Sequence, residues 1–326
     1  MRKSLFALLA LLAVFFVGCS DDDDNGGGGN GGRVVQEVLD LFKKDYPNAT
    51  NVDWSVTKDE FAIAVFDLSN GTRADLKIPG AHKAWYKNKQ GEGKRYMYER
   101  DIDFKDLPEA VKNAFKATEY SDTEHWKVDD VEEISRGDLV KLYAIEVEST
   151  KNKEDEVELY FDEQGVLVKI EVDLDDDFDK HGNLIVDKEL PAEIKTHLEK
   201  AHAGYKIIDI DLEDDSLEIE NKKIKHWEIE FIEKGVKKEI IFSADPVKWL
   251  YTEWETKEIE EEILKAILAT IEKDFAEYEI DDDEFDIILR NEKATLYKVE
   301  LESKDGKIEK DVYFTEKGEV VDLKKN

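Results

Sequence analysis

The side chains that most often carry out chemistry in proteins are few in this sequence. The chain has six histidines and one cysteine, and no two histidines are spaced to bind a metal from one helix face. His197 and His202, for example, are five residues apart and fall on different faces. Each histidine is interpreted as a surface residue. Nucleophile elbows and glycine-rich phosphate loops are absent. We therefore expect a protein that is not an enzyme, with no catalytic residues, metal ligands or cofactor.

Carboxylates are abundant, but their number predicts no acid–base site. Asp and Glu total 80, so pairs occur by chance, whereas acid–base catalysis needs two carboxyls in a cleft with separated pKa values. Residues 173–183 imitate the start of a calcium-binding EF-hand loop. The pattern then fails, because its glycine comes too late and Val186 stands where the last carboxylate is needed. A hairpin turn beside a solvated acidic run is the favoured interpretation.

The charge of the chain excludes several classes of partner. Lys and Arg number 47 against 80 acids, a formal net charge of −33. This charge repels the phosphates of nucleic acids and anionic lipid headgroups. The single cysteine excludes a disulfide framework and thiolate zinc clusters. The hydrophobic share of 41% is nevertheless enough for packed cores.

Residues 1–18 have the layout of a bacterial lipoprotein signal peptide. A basic start precedes an apolar run that is shorter than the roughly 20 residues needed to span a bilayer. The run ends at Phe16-Val17-Gly18-Cys19, which resembles a lipobox with Phe16 where leucine is usual. We expect Cys19 to be acylated and to provide the chain's only membrane contact. The alternative is an ordinary signal peptide with a chance cysteine.

Residues 19–32 are interpreted as an acidic, glycine-rich tether. Ser20, Asp21, Asp22 and Asp23 resemble the export tag of surface lipoproteins in some Gram-negative bacteria, and the following glycines predict a flexible linker. The alternative is a solvated acidic run that no receptor recognises. The sequence therefore predicts an outer-membrane lipoprotein exposed at the cell surface.

Internal repetition is the strongest structural signal. Helical spacing is found at residues 34–46, 107–118, 190–202 and 258–275, and each predicted helix precedes four short strands. The second strand of each copy alternates large apolar residues with small or charged ones, which is typical of an antiparallel sheet covered on one face. The large residues are expected to form the cores: Phe61, Ile63, Val65; Tyr143, Ile145, Val147; Trp227, Ile229, Phe231; Tyr297, Val299, Leu301.

The opposite faces of these strands are expected to contact water. They carry Glu146, Glu228, Glu230, Glu300 and Glu302, but Ala62 and Ala64 in the first copy. Three sheets should then present acid and one should be bare. Such a face is either merely solvated or a platform for a basic partner.

Differences among the copies indicate two pairs of units. Copies one and three place Trp85 and Trp249 where copies two and four have Val168 and Val321, and only copies two and four have a turn glycine, Gly165 or Gly318. We therefore expect an α+β protein of two similar domains, 33–187 and 188–326. Each should contain two units of one helix packed on a four-stranded antiparallel sheet.

Four aromatic residues are the candidate binding residues: Trp85, Trp249, Tyr251 and Trp254. Trp249 and Tyr251 are expected on one side of a strand, with Trp254 just beyond it. One interpretation places the aromatics in the seam between paired units. The other makes Trp85 and Trp249 partly exposed anchors for a partner, since interfaces concentrate binding energy in such residues.

Several of these features resemble the PepSY-like, beta-lactamase-inhibitor-like lipoproteins. They are the Leu107-Pro108 and Leu190-Pro191 helix starts, the aromatic-x-Ile-x-Val strand and residues 247–254. The resemblance covers roughly residues 34–326 and implies paired units of a helix on a four-stranded sheet, with an inhibitory or binding role. It carries over no individual functional residue. We expect a protein partner; the alternative is a binder of glycans or other small extracellular ligands through exposed tryptophans.

Overall fold

The structure is a computed structural model that describes residues 33–68, 82–151, 156–172, 181, 184–217, 219, 222–280, 284–304 and 306–323. Over these ranges the chain is α+β, with two antiparallel sheets and few helices. The signal peptide, the tether with Cys19, and most of the calcium-loop-like run lie outside the described residues. The expectations about lipidation, export and calcium therefore stay predictions.

The first sheet has eight strands that follow one another in chain order. Strands four and five pair directly, from Tyr98 opposite Ser135 to Asp101 opposite Glu132. The two units therefore share one continuous sheet and do not form separate four-stranded sheets. Their junction covers two strand edges whose backbone groups would otherwise be unpaired. The elements are α1 (Gln36–Asp45), β1 (Ala49–Val56), β2 (Phe61–Leu68), β3 (His82–Lys87), β4 (Arg95–Asp101), α2 (Glu109–Ala117), β5 (Trp126–Ser135), β6 (Leu142–Ser149), β7 (Glu156–Asp162) and β8 (Leu167–Val172).

The second sheet has nine strands and repeats this plan. Its order is β17-β16-β15-β14-β12-β11-β10-β9, with β13 paired to β15. The pairing of β12 with β14 joins the third and fourth units into one sheet. The elements are α3 (Ala192–Ala201), β9 (Lys206–Leu217), β10 (Lys222–Glu233), β11 (Val236–Ala244), β12 (Val247–Thr256), α4 (Glu261–Asp274), β13 (Tyr278–Ile280), β14 (Phe285–Arg290), β15 (Leu296–Ser303), β16 (Glu309–Phe314) and β17 (Val320–Val321).

The predicted core faces are correct in three of the four units. Val111 and Phe115 of α2 pack on Tyr143, Ile145 and Val147. The third and fourth units repeat this arrangement under α3 and α4, although Trp227 is only partly buried. Burial of one large apolar side chain contributes about 1.5–3 kcal/mol, so these faces attach each helix to its sheet.

The predicted faces of the first unit are wrong. Helix α1 packs on Ala62, Ala64 and Phe66, while Phe61 and Ile63 lie in a core on the opposite side of the sheet. A shift of one residue moves every side chain of a strand to the other face. The small alanines leave room for the rings around Phe42 of α1. The expected bare face is thus buried beneath a helix.

A β-bulge also separates two residues that were expected on one side. In the pairing of β11 with β12, Phe242 lies opposite Trp249 and Ile241 lies opposite Tyr251. The extra residue in β12 turns the following side chains to the other face. Trp249 accordingly packs beside α3, while Tyr251 joins the core on the far side of the sheet.

The turn glycines of the second and fourth units are explained by close packing against a helix. Gly165 has φ +81°, and a Cβ there would lie 2.6 Å from the carbonyl oxygen of Ala110 in α2. Gly318 has φ +72°, and its Cβ would lie 2.3 Å from the carbonyl oxygen of Ala266 in α4. Only glycine combines this backbone conformation with this approach.

The two sheets meet through the face of sheet one that lies opposite its helices. Ile63 and Met97 share a core with Ile208 of β9 and Ile232 of β10. The Val140 amide donates to the Ile207 carbonyl at 3.0 Å, which links the β5–β6 turn to β9. Both faces of sheet one are therefore buried over part of their area, and several of its acidic residues lie inside the protein.

Candidate functional site

The four candidate aromatic residues occupy different environments. Trp85 is 1% exposed and Tyr251 is 5% exposed, so both are core residues and neither can be a surface anchor. Trp249 is half-buried, with its indole N–H donating to Thr252 Oγ1 at 3.1 Å and its ring 5.3 Å from that of His197. Trp254 is half-buried and borders a groove.

This groove has a volume of about 510 Å³ and lies over strands β10, β11, β12 and β14 of sheet two, beside the start of β8. Leu167 and Val236, each 37% exposed, contribute apolar wall. We call it the acidic groove, because its polar lining is mostly carboxylate. The acids are Glu230, Glu239, Glu253, Glu255 and Asp286.

The strand register brings the groove acids together. Glu239 lies directly opposite Glu230 on one side and Glu253 on the other, and Glu255 lies opposite Asp286. Like charges directly opposite each other destabilise a sheet. Two lysines, Lys237 and Lys238, also line the groove. Lys237 Nζ forms an ion pair with Glu230 Oε1 at 2.7 Å. An acidic face was expected here, but the glutamates of β10 prove half-buried and crowded.

The crowding raises carboxyl pKa values. Burial, followed by the charges of Glu228, Glu253 and Glu230, raises the pKa of Glu239 to about 8. A hydrogen bond shared with Glu284, together with burial, raises the pKa of Glu255 to about 7. These carboxyls are therefore partly protonated near neutral pH. Clusters of perturbed carboxyls are a common feature of functional sites, and a cation placed in the groove would stabilise their charged forms.

A second polar cluster lies inside the protein, on the sheet-one face that meets sheet two. His181 is 1% exposed and stands among three buried glutamates. Its Nδ1 is 3.1 Å from Glu99 Oε2, and its Nε2 is 3.1 Å from Glu158 Oε1 and 3.5 Å from Glu132 Oε2. We call these four residues, with Lys83, the buried ionic cluster.

The geometry of the buried ionic cluster fits a protonated histidine. Burial alone would lower the pKa of His181, but Glu99 and the hydrogen bond to Glu158 outweigh it and raise the pKa to about 10. Lys83 Nζ lies 3.4 Å from Glu132 and 3.5 Å from Glu99, and supplies a second positive charge. Trp85 Nε1 donates to Glu99 Oε1 at 2.6 Å.

The same residues could also ligate a cation. Glu99, Glu132 and His181 offer ligand atoms within 4.8 Å of one another, as do Asp101, Asp130 and Glu132. Because Lys83 and protonated His181 already supply the positive charge that a metal would bring, the arrangement favours an ion-pair cluster. The cluster attaches His181, which lies between β8 and α3, to the buried glutamates of sheet one.

The expectation that every histidine lies on the surface is wrong for three of them. His181, His202 and His226 are buried. His202 Nδ1 contacts Glu233 Oε2 at 3.1 Å, and His226 Nδ1 contacts the Ile224 carbonyl at 3.0 Å. The glutamate partners of His181 and His202 come from strands distant in the chain, whereas His226 contacts a carbonyl of its own strand β10, so no shared local pattern marks the three residues as buried.

Comparison with known proteins gives one family. The sequence profile of the family described as "Putative beta-lactamase-inhibitor-like, PepSY-like" matches residues 80–169, 168–239 and 236–322. These three segments cover most of the chain and include the acidic groove. No curated protein matches the chain.

Several solved structures with similarity to the chain come from Bacteroides species. A DUF2874 family protein from Bacteroides ovatus is 26% identical, covers 46% of this chain and 94% of that chain, and has a TM-score of 0.37. A BLIP-like protein from Bacteroides fragilis is 24% identical and covers 49% and 94%, with a TM-score of 0.34. One from Bacteroides eggerthii, described as "putative periplasmic proteins", is 22% identical and covers 46% and 96%, with a TM-score of 0.38.

None of the helices in the described part of the chain is both long enough and apolar enough to cross a membrane.

Proposed function

The chain belongs to the PepSY-like, beta-lactamase-inhibitor-like family, and from this premise we propose that it is a non-enzymatic surface lipoprotein that docks a basic segment of another protein in the acidic groove. Docking would inhibit the partner or hold it at the cell surface. The observation that carries the proposal is the row of opposed glutamates in the groove, with Glu239 at its centre.

Charge complementarity determines the kind of partner. Lysine or arginine side chains entering the groove would add positive charge to a lining in which five carboxyl groups face two lysines. The apolar wall at Leu167 and Val236, with Trp254 nearby, suits an apolar residue next to the basic ones. Opposite potentials also steer association and make its rate sensitive to salt.

The positions of the tryptophans favour a protein over a glycan. Sugar binding of the kind considered above needs an open aromatic face, and Trp85 is buried. The ring of Trp249 lies close to His197. Lys238 Nζ lies 4.5 Å from the ring centroid of Trp254, so that ring also has a covered side.

The docking proposal is tested with a defined peptide. A fluorescent peptide of alternating lysine and leucine is titrated into the protein, and a glutamate–leucine peptide of equal length is the control. We expect binding of the lysine peptide to weaken about tenfold in Glu239→Gln/Glu253→Gln, and to fall steeply between 50 and 500 mM salt, roughly 14 and 4 Å in screening length.

A matched variant replaces two exposed acids outside the groove. Glu300 and Glu309 are exposed acids of β15 and β16 outside the groove lining, so Glu300→Gln/Glu309→Gln should bind the lysine peptide nearly as the natural protein does. Equal losses in the two double variants would show that net charge, and not the groove, attracts the peptide. Binding that is indifferent to salt would overturn the proposal.

The surface anchorage is tested separately. In Cys19→Ala the acylated residue is lost, and we expect the protein to move from the membrane fraction to the soluble fraction, since the lipid is its only proposed membrane contact. Alanine at Asp21, Asp22 and Asp23 should keep the membrane association but reduce cleavage by external protease. Unchanged membrane partition of Cys19→Ala would contradict the lipoprotein assignment.

A further inference from the structure

A cavity of about 260 Å³ lies where the two sheets meet. Its apolar walls are Leu142 and Val168 of sheet one, Ile208 of β9, and Leu184, which lies between β8 and α3. Arg136, directly after β5, lies in its lining together with four acids of β9 and β10 and with Lys169 and Lys237. Ligand sites are frequent at such junctions, and this volume suits a small molecule.

Arg136 is a buried cation without an ion-pair partner in the described part of the chain. It is 4% exposed. Its Nη1 donates to the Leu184 carbonyl at 3.2 Å and its Nη2 to the Val140 carbonyl at 3.4 Å. Its Nε is buried and has no hydrogen-bond acceptor among the described residues. Burial lowers the pKa of this guanidinium to about 10, an effect that Asp209 only partly opposes.

An uncompensated charge inside a protein is costly, and a guanidinium is well suited to bind a carboxylate. A ligand carboxylate in the cavity would supply the missing acceptor for Nε and a negative charge in direct contact with the guanidinium. The apolar walls would meanwhile enclose a hydrocarbon side chain.

The acids of the lining point to a second ligand group. Asp209 and Glu228 both line the cavity, and burial raises the pKa of each carboxyl. The negative charge of Glu230 raises the pKa of Glu228 further. A ligand ammonium near these carboxyls would favour their charged forms.

We propose that this cavity binds a free α-amino acid with an apolar side chain, its carboxylate on Arg136 and its ammonium towards Asp209 and Glu228. The site is distinct from docking in the acidic groove, although Glu230 and Lys237 border both.

Calorimetry on the full mature chain with four compounds tests each contact. Leucine is the probe; leucinamide lacks the carboxylate, N-acetyl-leucine lacks the ammonium, and glutamate replaces the apolar side chain with a charged one. We expect leucine to bind, and each of the other three to bind at least about tenfold more weakly. Absence of heat with leucine, or equal binding of leucinamide or N-acetyl-leucine, would overturn the proposal.

Two variants separate recognition from folding. Arg136→Met should abolish leucine binding, but it also removes two hydrogen bonds to backbone carbonyls. Glu228→Gln keeps the shape of a half-buried side chain and should weaken leucine about fivefold while leaving the weak binding of N-acetyl-leucine unchanged. Glu300→Gln, outside the cavity, should not affect either compound. If Glu228→Gln binds leucine as tightly as Glu300→Gln, the ammonium contact is wrong and the proposal fails.

Discussion

Replacing His181 by alanine is expected to destabilise the protein by about 3–5 kcal/mol at pH 6, because removal of one partner leaves buried charges uncompensated. The imidazole bonds Glu158 and contacts Glu99, and both carboxyls are buried. Urea unfolding, followed by tryptophan fluorescence, measures the change. His125 provides a matched control, since it pairs with Asp122 at 2.7 Å on the surface, and exposed pairs of this kind contribute little.

The effect of His181 should depend on pH in a defined direction. Its pKa is about 10 in the folded protein against an ordinary 6.5, so the folded state holds a proton that the unfolded state releases above pH 6.5. The contribution of His181 to stability is therefore complete below pH 6.5 and is lost as the pH rises through about 10. The difference in unfolding free energy between the natural protein and His181→Ala should therefore shrink as the pH rises from 6.5 to about 10.

Two results would contradict this account of the buried ionic cluster. One is an unchanged denaturation midpoint in His181→Ala at pH 6. The other is a large gain in stability when zinc is added to the natural protein but not to His181→Ala, which would show that Glu99, Glu132 and His181 hold a metal instead of an internal ion pair.

Replacing Glu239 by glutamine is expected to stabilise the protein at alkaline pH. The folded-state pKa of Glu239 is about 8 against an ordinary 4.5, so between these values the folded state binds a proton that the unfolded state lacks. Stability is therefore highest below pH 4.5 and falls as the pH rises through about 8. Glutamine cannot ionise, so the variant should gain on the order of 2–4 kcal/mol at pH 8.5 and almost nothing at pH 4.5.

The same comparison separates local crowding from net charge. Glu300→Gln removes one negative charge from an exposed position of the same sheet and should show no comparable gain between pH 4.5 and 8.5. A gain of equal size in both variants would mean that the overall negative charge, and not the opposed glutamates, limits stability. A gain in Glu239→Gln that is already complete at pH 4.5 would contradict the raised pKa.

If Glu239→Gln is more stable at alkaline pH and also binds the lysine peptide more weakly, the same carboxyl both destabilises the free protein and serves binding. Residues that serve binding often reduce stability, because they are held in an environment that only the partner completes. The opposed Glu230, Glu239 and Glu253 would then be destabilising in the free protein and compensated in the complex.

The sequence predicts some residues of the acidic groove but not the way in which its carboxyls are brought together. Alternation along β10 predicted that Glu228 and Glu230 share a face away from α3, and the structure confirms it. Trp254 was proposed and does border the groove, whereas Trp85 and Tyr251 are buried. The groove itself depends on Glu239 and Glu253, whose apposition follows from strand register and from no local pattern.

The amino-acid sequence by itself determined the repeated helix-and-strand units, their α+β class and the core faces of the last three copies, because a periodicity of two or 3.6 residues is a property of each segment alone. Only the tertiary structure decided the joining of units into two continuous sheets, the reversed faces of β2, the bulge before Tyr251 and the burial of Arg136 and His181. Each of these depends on a register or contact between segments distant in the chain, and a one-residue change in register exchanges core and surface without changing the local pattern.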